Sequence, residues 1–446
     1  MQELCLTDPA WEECRADWRM PFLPKSDTGW DRYPELKQLF PESSRGVTAG
    51  RTWIYSPDAD TLRRRWRKFV QAGEGLRRLM LPESEERTLD SVVRPLPGMP
   101  APAGPLVAET GPAPAPVPVR VAYRSFDRQW VLPDSRLMAR PRPPLWAVRS
   151  PHQIYLTEQN SHPIESGPGV TFTQLIPDLD HYNNRSGRVF PLYCDTSTER
   201  PNVAPGLCAM LAETLGTEVA AADVMAYVAA VTAHPGYTER FRQELRHPGV
   251  RVPLTADADR WAEAVSIGRE VLWLHTFGQI SLAERPTSFR DFVDEAAPKV
   301  RAAIPDEPGA LPDSISWDAD SETLLVGSGR IAPVHRRVWD YDVGGMRVVR
   351  HWFNYRCAHQ RHRRRSSPLD DEELNRWSSD LTDELLEILA VLGGCVTVEL
   401  RQLDLLDRIC AGRLISVADL SAGGVLPVLG AAKLTTVDEG RIPRLF

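Results

Sequence analysis

Three short runs of the sequence combine arginines with aromatic or imidazole side chains, a combination that suits contact with nucleic acids. They read RRRWRKF (63–69), YRSFDR with RLMARPR (123–142), and HQRHRRR (359–365). A guanidinium group can bind phosphate in a fork, contact guanine O6 and N7, and stack on a base. The runs therefore predict a polyanion-binding surface, although a solvated face or salt bridges to the acidic C-terminal part would have the same composition.

The overall charge does not exclude such a surface. The 446 residues include 53 basic and 60 acidic side chains, for a formal net charge of −7, and only five of the basic ones are lysines. A coding bias toward arginine would explain that ratio. The charge is segregated, however, with nine basic against three acidic residues in 45–78 and ten against two in 330–365. A net negative chain can thus present a locally positive face.

Most enzyme motifs are missing. No lysine follows a glycine, which excludes a GxxxxGK[ST] phosphate loop, and there is no GxSxG nucleophile motif. The passage LLVGSGR continues into RIAPV, so we predict a hairpin turn at 327–329 rather than a cofactor loop. The pair Pro143-Pro144 lacks the neighbours of a base-holding methyltransferase tetrapeptide. We predict no catalytic residue.

The sequence also gives little indication of a disulfide framework, a metal site or a membrane segment. Seven scattered cysteines form no CxxC pair, and His351, His359 and His362 fit a basic helix end better than a metal site. The N-terminus has no signal-peptide pattern and no 18-residue apolar stretch occurs. We expect a cytoplasmic protein with no metal and no membrane partner.

The elements that would position the basic runs follow from periodicity. Asp58 or Asp60 can cap a helix whose apolar stripe includes Leu62 and Trp66, with the neighbouring arginines mostly off that stripe. A Pro/Ala-rich stretch follows, then β-like runs such as VAYRSF, QWVL and QIYLTEQ. Helical periodicity covers 205–278 and returns in SSDLTDELLEILAVLG, with a weaker run at 403–409.

These patterns predict an α+β (mixed α/β) fold in four parts. Residues 1–93 form a partly helical joining segment, and 94–119 form a Pro/Ala-rich linker or loop. The main domain occupies 120–395 and includes a helical subregion, and 396–446 form a C-terminal helical segment and tail.

The order of motifs resembles a known family. YRSFDRQW, RPRPP, IYLTEQ, FPLY, RVPLT, GREVLWLHTFG and the hairpin LLVGSGRIAPVHRRVWDYDVGG follow one another as in the C-terminal specificity region of type ISP restriction-modification enzymes. The likeness runs from about Phe22 to Leu392. It implies a target recognition domain, serving a γ-type adenine-N6 DNA methyltransferase, that binds double-stranded DNA.

Full-length relatives join a nuclease, a helicase-like ATPase and the methyltransferase to this region. The sequence here carries none of their motifs, so we expect a truncated or split gene product, or the specificity half of a two-chain enzyme without activity of its own. No cofactor is expected in this chain, and S-adenosylmethionine is expected on a partner methyltransferase encoded upstream. The alternatives are an orphan protein-interaction module and, less favoured, a methyltransferase in its own right.

The resemblance and the residue chemistry together select candidate DNA contacts. Tyr123, Phe126 and Trp130 are predicted to pack in the core, with Asp127 pairing with a nearby arginine. The predicted phosphate contacts are Arg63, Arg64, Arg67, Lys68, Arg361, Arg363, Arg364 and Arg365. The predicted base-reading residues are Arg124, Arg128, Arg140, Arg142, Gln159, Asn160, His162, Asn183, Asn184 and Arg185.

Overall fold

Helices and short antiparallel strands alternate along the chain, in agreement with the predicted α+β class. The computed structural model describes residues 29–84, 87–109, 114–281, 288–358 and 367–428. The helices are α1 Leu36–Leu39, α2 Ala59–Gln71, α3 Glu74–Met80, α4 Pro143–Ala147, α5 Leu207–Leu215, α6 Ala221–Thr232, α7 Pro235–Arg240, α8 Ala258–His275, α9 Phe289–Ala296, α10 Arg336–Trp339, α11 Val348–Asn354, α12 Ser379–Cys410 and α13 Val417–Ala422.

The strands are short and are joined by single 3-10 turns in several places. They are β1 Ser44–Arg45, β2 Tyr55–Ser56, β3 Val119–Arg124, β4 Asp127–Val131, β5 Tyr155–Gln159, β6 Val170–Thr173, β7 Gly187–Pro191, β8 Leu254–Thr255, β9 Lys299–Ala302, β10 Ile315–Asp318, β11 Thr323–Val326, β12 Gly329–Ala332, β13 Asp342–Val343, β14 Met346–Arg347 and β15 Leu414–Ile415. The 3-10 helices are Trp30–Arg32, Thr52–Ile54, Leu106–Ala108, Glu244–Arg246 and Pro368–Asp371.

The described residues contain three sheets of three or four strands and two sheets of two strands, β13-β14 and β15-β8, and all pairs of named strands are antiparallel. One sheet has the order β1-β7-β5-β6, a second β2-β4-β3 and a third β10-β11-β12-β9. The predicted hairpin turn is confirmed, because Val326 of β11 pairs directly with Gly329 of β12. In the first sheet, a row of paired residues crosses three strands, with Arg45 opposite Arg188 and Arg188 opposite Glu158.

Apolar side chains form two buried clusters, and the β3–β4 hairpin contributes to both, with Phe126 in the larger and Val121, Tyr123 and Val131 in the smaller. The larger cluster contains the helical region and α12, where the rings of Tyr227 and Trp261 stack at 4.5 Å between centroids. Helices α6 and α8 come so close that a Cβ on Gly268 would lie 1.7 Å from the Ala226 carbonyl oxygen. The smaller cluster packs α2 against the β2-β4-β3 sheet. The hairpin therefore connects the two cores.

Helix α2 forms as its sequence predicts, with one exception. The Asp58 side chain caps it by accepting bonds from the backbone N–H groups of Asp60 and Thr61, at 3.2 and 2.7 Å. Arg65 is predicted off the apolar stripe, but it is buried. Its Nη1 donates to the carbonyl oxygens of Trp53 and Tyr55 at 2.9 and 2.8 Å, which satisfies the guanidinium inside the small core.

Two of the predicted segments can be compared with the structure. In 94–119, predicted as a linker or loop, Leu96 and Leu106 are buried in the smaller core. Helix α12 runs without a break from Ser379 to Cys410, so the predicted boundary after residue 395 lies within it. The two separate helical runs in the sequence are one helix with a continuous buried face.

A buried ion network ties the two cores together. Arg356, just after α11, is fully buried, and its Nη2 lies 2.8 Å from Asp127 Oδ1 on β4 and 3.5 Å from Glu384 Oε2 on α12. Arg356 Nη1 also donates to the Trp352 carbonyl oxygen at 2.9 Å. Arg120 on β3 pairs with the same Glu384 carboxylate. Asp127 thus pairs with an arginine, as predicted, but with one that lies more than two hundred residues further along the chain.

Removing Arg356 should strongly destabilise the fold. Arg356→Ala leaves the Asp127 carboxylate buried without its partner, and such changes cost about 3–5 kcal/mol. Urea denaturation measures the difference. Arg336→Ala is the control, because Arg336 is exposed and pairs with Asp340 within one helical turn, so its loss should cost under about 0.5 kcal/mol. Equal stabilities of the two variants would contradict the role assigned to Arg356.

Candidate nucleic-acid interface

A wide groove beside the β1 edge of the first sheet carries the clearest concentration of positive charge. Its volume is about 1200 Å³. Among its described lining residues there are six cations and no carboxylate. Asn160 and the segment from Leu426 to Val428 complete the wall. The cations are Lys37, Arg45, Arg87, Arg140, Arg142 and Arg188. Such a groove concentrates positive potential and attracts a polyanion.

Backbone pairing explains how distant segments meet at this groove. Thr48 and Arg140 exchange two backbone hydrogen bonds of 2.9 Å, which holds the 139–144 loop beside β1. The segment after β1 reaches the first sheet through a close approach at Gly46, where a Cβ would lie 2.3 Å from the Asp178 carbonyl oxygen. A larger residue at 46 would push Arg45 away from β7. The groove therefore depends on this small residue.

The loop that carries Arg140 and Arg142 is rigid at its end. Arg142 precedes α4 with a backbone φ of 55°, in the left-handed region that residues other than glycine rarely adopt. Pro143 follows it, and the Trp146 indole N–H donates to the Pro141 carbonyl oxygen at 2.8 Å. Residues held in such a backbone conformation are often found at functional sites. Arg140 is exposed and Arg142 half-buried at the groove wall.

Of the predicted base-reading residues, three line the groove: Arg140, Arg142 and Asn160. Arg124 and Asn184 do not. Arg124 is buried, with its Nη1 2.9 Å from Asp178 Oδ1, and its Nε donates to Asn184 Oδ1 at 2.9 Å. The same Asp178 carboxylate accepts the Tyr55 hydroxyl at 2.8 Å. In the structure Arg124 is thus held by buried partners and does not line the groove.

Arg128 also lies away from the groove. It forms an ion pair with Glu387 on α12, and its guanidinium carbon stands 3.9 Å from the centroid of the Phe277 ring. Arg128, Phe277 and Glu387 line a separate cavity of about 460 Å³, to which the β3–β4 hairpin contributes. Among the aromatic residues of this hairpin, Tyr123 and Phe126 are buried as predicted, whereas Trp130 is half-buried under the Arg120 guanidinium.

The remaining candidates fall into two groups. Gln159 is fully buried, its Nε2 donating to Asn183 Oδ1 at 2.9 Å, and Asn183 Nδ2 donates to the Gly344 carbonyl oxygen at 3.2 Å. These amides hold loops together and do not line the groove. His162 and Arg185 are exposed. They remain candidates that do not line the groove.

The predicted phosphate contacts on α2 form a separate exposed face, partly neutralised by acidic neighbours. Arg63 forms an ion pair with Asp60, and Lys68 Nζ lies 2.8 Å from Glu372 Oε1. Arg64 donates to the Thr61 hydroxyl at 2.7 Å, and Arg67 is exposed. The other four candidates lie outside the described residues, as do His359 and His362: Arg361, Arg363, Arg364 and Arg365.

Sequence reasoning missed Lys37, Arg45, Arg87 and Arg188 as members of one site. These residues come from distant parts of the chain that only the tertiary fold brings to the same groove, where the pairing of β1 with β7 places Arg45 opposite Arg188. The sequence does contain two β-like runs, one ending in TEQN and a later one reading GRVFP. The register between these two strands places Arg188 on the strand next to the sheet edge. Register between strands is set by long-range contacts and cannot be read from one run.

A buried carboxylate stands behind the groove. Glu158 on β5 is 2% exposed, its Oε1 lies 3.4 Å from Arg188 Nη1, and its Oε2 accepts the Val250 backbone N–H at 3.3 Å. Burial raises the pKa of Glu158 to about 7, and Arg188 offsets part of this rise. Ionising Glu158 therefore costs stability, because the folded chain holds its proton more tightly than the unfolded chain does.

The fold is α+β and carries a groove lined by cations, and comparison with known families is more specific. The family model for the Type ISP C-terminal specificity domain matches residues 38–388. The chain belongs to this family, which confirms the resemblance drawn from the motif order. No curated protein matches the sequence.

Solved structures show the same fold. The DrdV–DNA complex is 18% identical with a TM-score of 0.59, over 91% of this chain and 41% of that one. The ATP-dependent Type ISP restriction-modification enzyme LlaBIII bound to DNA is 13% identical with a TM-score of 0.56, over 88% of this chain and 25% of that one. A nuclease-deletion mutant of the Type ISP restriction-modification enzyme LlaGI in complex with a DNA substrate mimic is 14% identical with a TM-score of 0.53, over 89% of this chain and 30% of that one. The chain thus spans less than half the length of each.

Two other site classes find no support within the described ranges. No group of three or more His, Cys, Asp or Glu side chains there is arranged to hold a metal ion. No helix in the same ranges combines the length and apolarity needed to cross a membrane.

The raised pKa of Glu158 predicts a pH-dependent gain in stability for Glu158→Gln. Its pKa of about 7, against a usual 4.5, means that stability falls as pH rises through this window and that the full cost is present above pH 7. Glu158→Gln should remove at most about 3 kcal/mol of that cost at pH 8 and much less at pH 5. Denaturant midpoints at both pH values measure this, and a gain that is equal at both would contradict the assignment.

Proposed function

We propose that this chain recognises double-stranded DNA through the basic groove, as the specificity part of a type ISP-like restriction-modification system or adenine-N6 DNA methyltransferase. The observation that carries the proposal is the set of six groove cations with no carboxylate among the described lining residues. Family membership supports it, as does the binding of DNA by the solved proteins of the same fold. Phosphate contacts supply most of the affinity of such surfaces.

The two kinds of groove residue suit two kinds of contact. Arg45 and Arg188 project from paired strands of one sheet, which suits contact with a phosphate backbone. Arg140, Arg142 and Asn160 lie on loops at the groove wall. Arginine matches the O6 and N7 acceptors of guanine, and asparagine matches N6 and N7 of adenine. These three are therefore the proposed base-reading residues.

The chemistry of the system belongs to a partner. A methyltransferase domain or subunit would bind S-adenosylmethionine and take the flipped target adenine into its own pocket. This chain would bind one side of the duplex and determine which DNA sequence the enzyme acts on. Its contribution is thus a binding free energy that differs between sequences.

Neutralising two groove cations should weaken duplex binding in a salt-dependent way. Arg45→Gln combined with Arg140→Gln removes two charges that lie far apart in sequence and face the same groove. The slope of log K against log salt should become shallower by roughly 1.8, or about 0.9 for each phosphate that is no longer neutralised. Fluorescence anisotropy with mixed-sequence duplex DNA over a salt series measures the slope.

Two control variants locate the surface. Arg63→Gln with Arg67→Gln tests the alternative face on α2, and Arg290→Gln tests a cation that is 91% exposed on α9. Neither should change the slope as much as the groove pair. A loss confined to the α2 pair would move the interface to α2, and a wild-type chain that binds no duplex at any salt concentration would contradict DNA recognition itself.

A further inference from the structure

Three charged residues are aligned across the first sheet. Arg45 on β1 pairs with Arg188 on β7, and Arg188 pairs with Glu158 on β5. Directly paired residues of antiparallel strands project from the same face, with Cα atoms about 4.5–5.5 Å apart. The row therefore runs from an exposed arginine, through a half-buried one, to a buried carboxylate.

The two arginines form an unfavourable pair by themselves. Like charges directly opposite each other in an antiparallel pair are destabilising. Arg45 has no ion-pair partner among the described residues, and both side chains line the groove that contains no described carboxylate. An anion between the two guanidinium groups would remove the repulsion. Backbone phosphate is the anion that the groove is proposed to meet, and a guanidinium can bind it in a fork.

Glu158 competes for one half of this pair. Its carboxylate is 3.4 Å from Arg188 Nη1, a long ion pair, whereas Arg188 itself keeps 31% of its side chain exposed to the groove. The guanidinium can therefore turn outward without unfolding its strand. The Glu158 carboxylate is behind the sheet edge and does not line the groove, so it does not repel a phosphate directly at contact distance.

The surroundings of Glu158 decide when it is charged. Burial raises its pKa to about 7, and the charges that face it are Arg188 on β7, Glu35 just before α1 and Lys37 on α1. Glu35 is already paired, with Lys37 Nζ at 2.9 Å and Arg251 Nη2 at 3.1 Å. The phenols Tyr182 and Tyr237 are also close, and burial raises the pKa of each. Glu158 is thus the group in this cluster that titrates near neutral pH.

We propose that Arg45 and Arg188 form a clamp for one DNA phosphate, and that Glu158 is a positioning residue that competes with this phosphate for Arg188. The inference rests on the proposed DNA-binding function. Above neutral pH the ionised carboxylate holds Arg188 back, and below it the neutral acid releases Arg188 to the groove. The clamp therefore closes on phosphate more readily as the pH falls through about 7.

Duplex binding by the full chain tests the clamp. Anisotropy with mixed-sequence duplex DNA is measured at pH 6.0 and 8.5 over a salt series, for wild type and for Glu158→Gln. At pH 8.5 the variant should bind about threefold to fivefold more tightly, with a salt slope steeper by about 0.9. At pH 6.0 the two proteins should bind alike. Protonation of histidines affects both proteins equally, so the comparison at each pH isolates Glu158.

A matched carboxylate provides the control. Glu399 is also largely buried, is 2.5 Å from Arg337 Nη2, and burial raises its pKa to about 7, but it lies on α12 away from the groove. Glu399→Gln should leave binding unchanged at both pH values. Adding Arg188→Gln should abolish the effect of Glu158→Gln, because the competed group is gone.

Two results would overturn the clamp without contradicting the proposed function. Wild-type binding with a normal salt dependence but no change on Glu158→Gln at pH 8.5 would overturn the clamp and leave DNA recognition intact. An unchanged effect of Glu158→Gln in the Arg188→Gln background would overturn it equally. Absence of duplex binding by the wild type at both pH values would overturn DNA recognition and the clamp together.

Discussion

The arrangement of the two cores depends on the ion pairs that the buried Arg356 guanidinium forms with Asp127 and Glu384. Its Nη2 lies 2.8 Å from Asp127 of the β3–β4 hairpin and 3.5 Å from Glu384 of α12, and all three residues are buried. A buried charge without its partner costs several kcal/mol. The hairpin, the end of α11 and the first turns of α12 must therefore dock together in one register. This requirement is stricter than that of apolar packing, which tolerates small shifts.

The position of the hairpin determines where the groove forms. Strand β4 pairs with β2, and the chain that leaves β4 reaches the 139–144 loop, which pairs with Thr48 beside β1. From there, β1 adds to the first sheet at β7, so that Arg45 comes to lie opposite Arg188. The groove cations are thus positioned by contacts that begin at the buried network. A site that consists of loops and a two-residue strand gains its rigidity in this way.

Local patterns in the sequence were sufficient for most elements and insufficient for most arginines. Periodicity identified α5, α6 and α8, and glycine spacing identified the β11–β12 turn, because both signals lie within a few residues. The charge of an arginine indicates nothing about its burial. Arg65, Arg124 and Arg356 are inside the protein because carbonyl oxygens and carboxylates from distant segments meet them there. No one-dimensional count of charges contains that information.

Carboxylates are distributed unevenly among the cations of this chain. Of the groove cations, Lys37 pairs with Glu35 and Arg188 with Glu158, but neither carboxylate lines the groove. The acidic residues of α12 and of the segment before it neutralise basic residues far from the groove, as Glu384 does for Arg120, Glu387 for Arg128 and Glu372 for Lys68. The groove receives none of these partners among its described lining residues. Salt screens charges over about 8–10 Å, so the excess of carboxylates elsewhere weakens the groove potential little. A chain with a net charge of −7 can therefore present a cationic groove without contradiction.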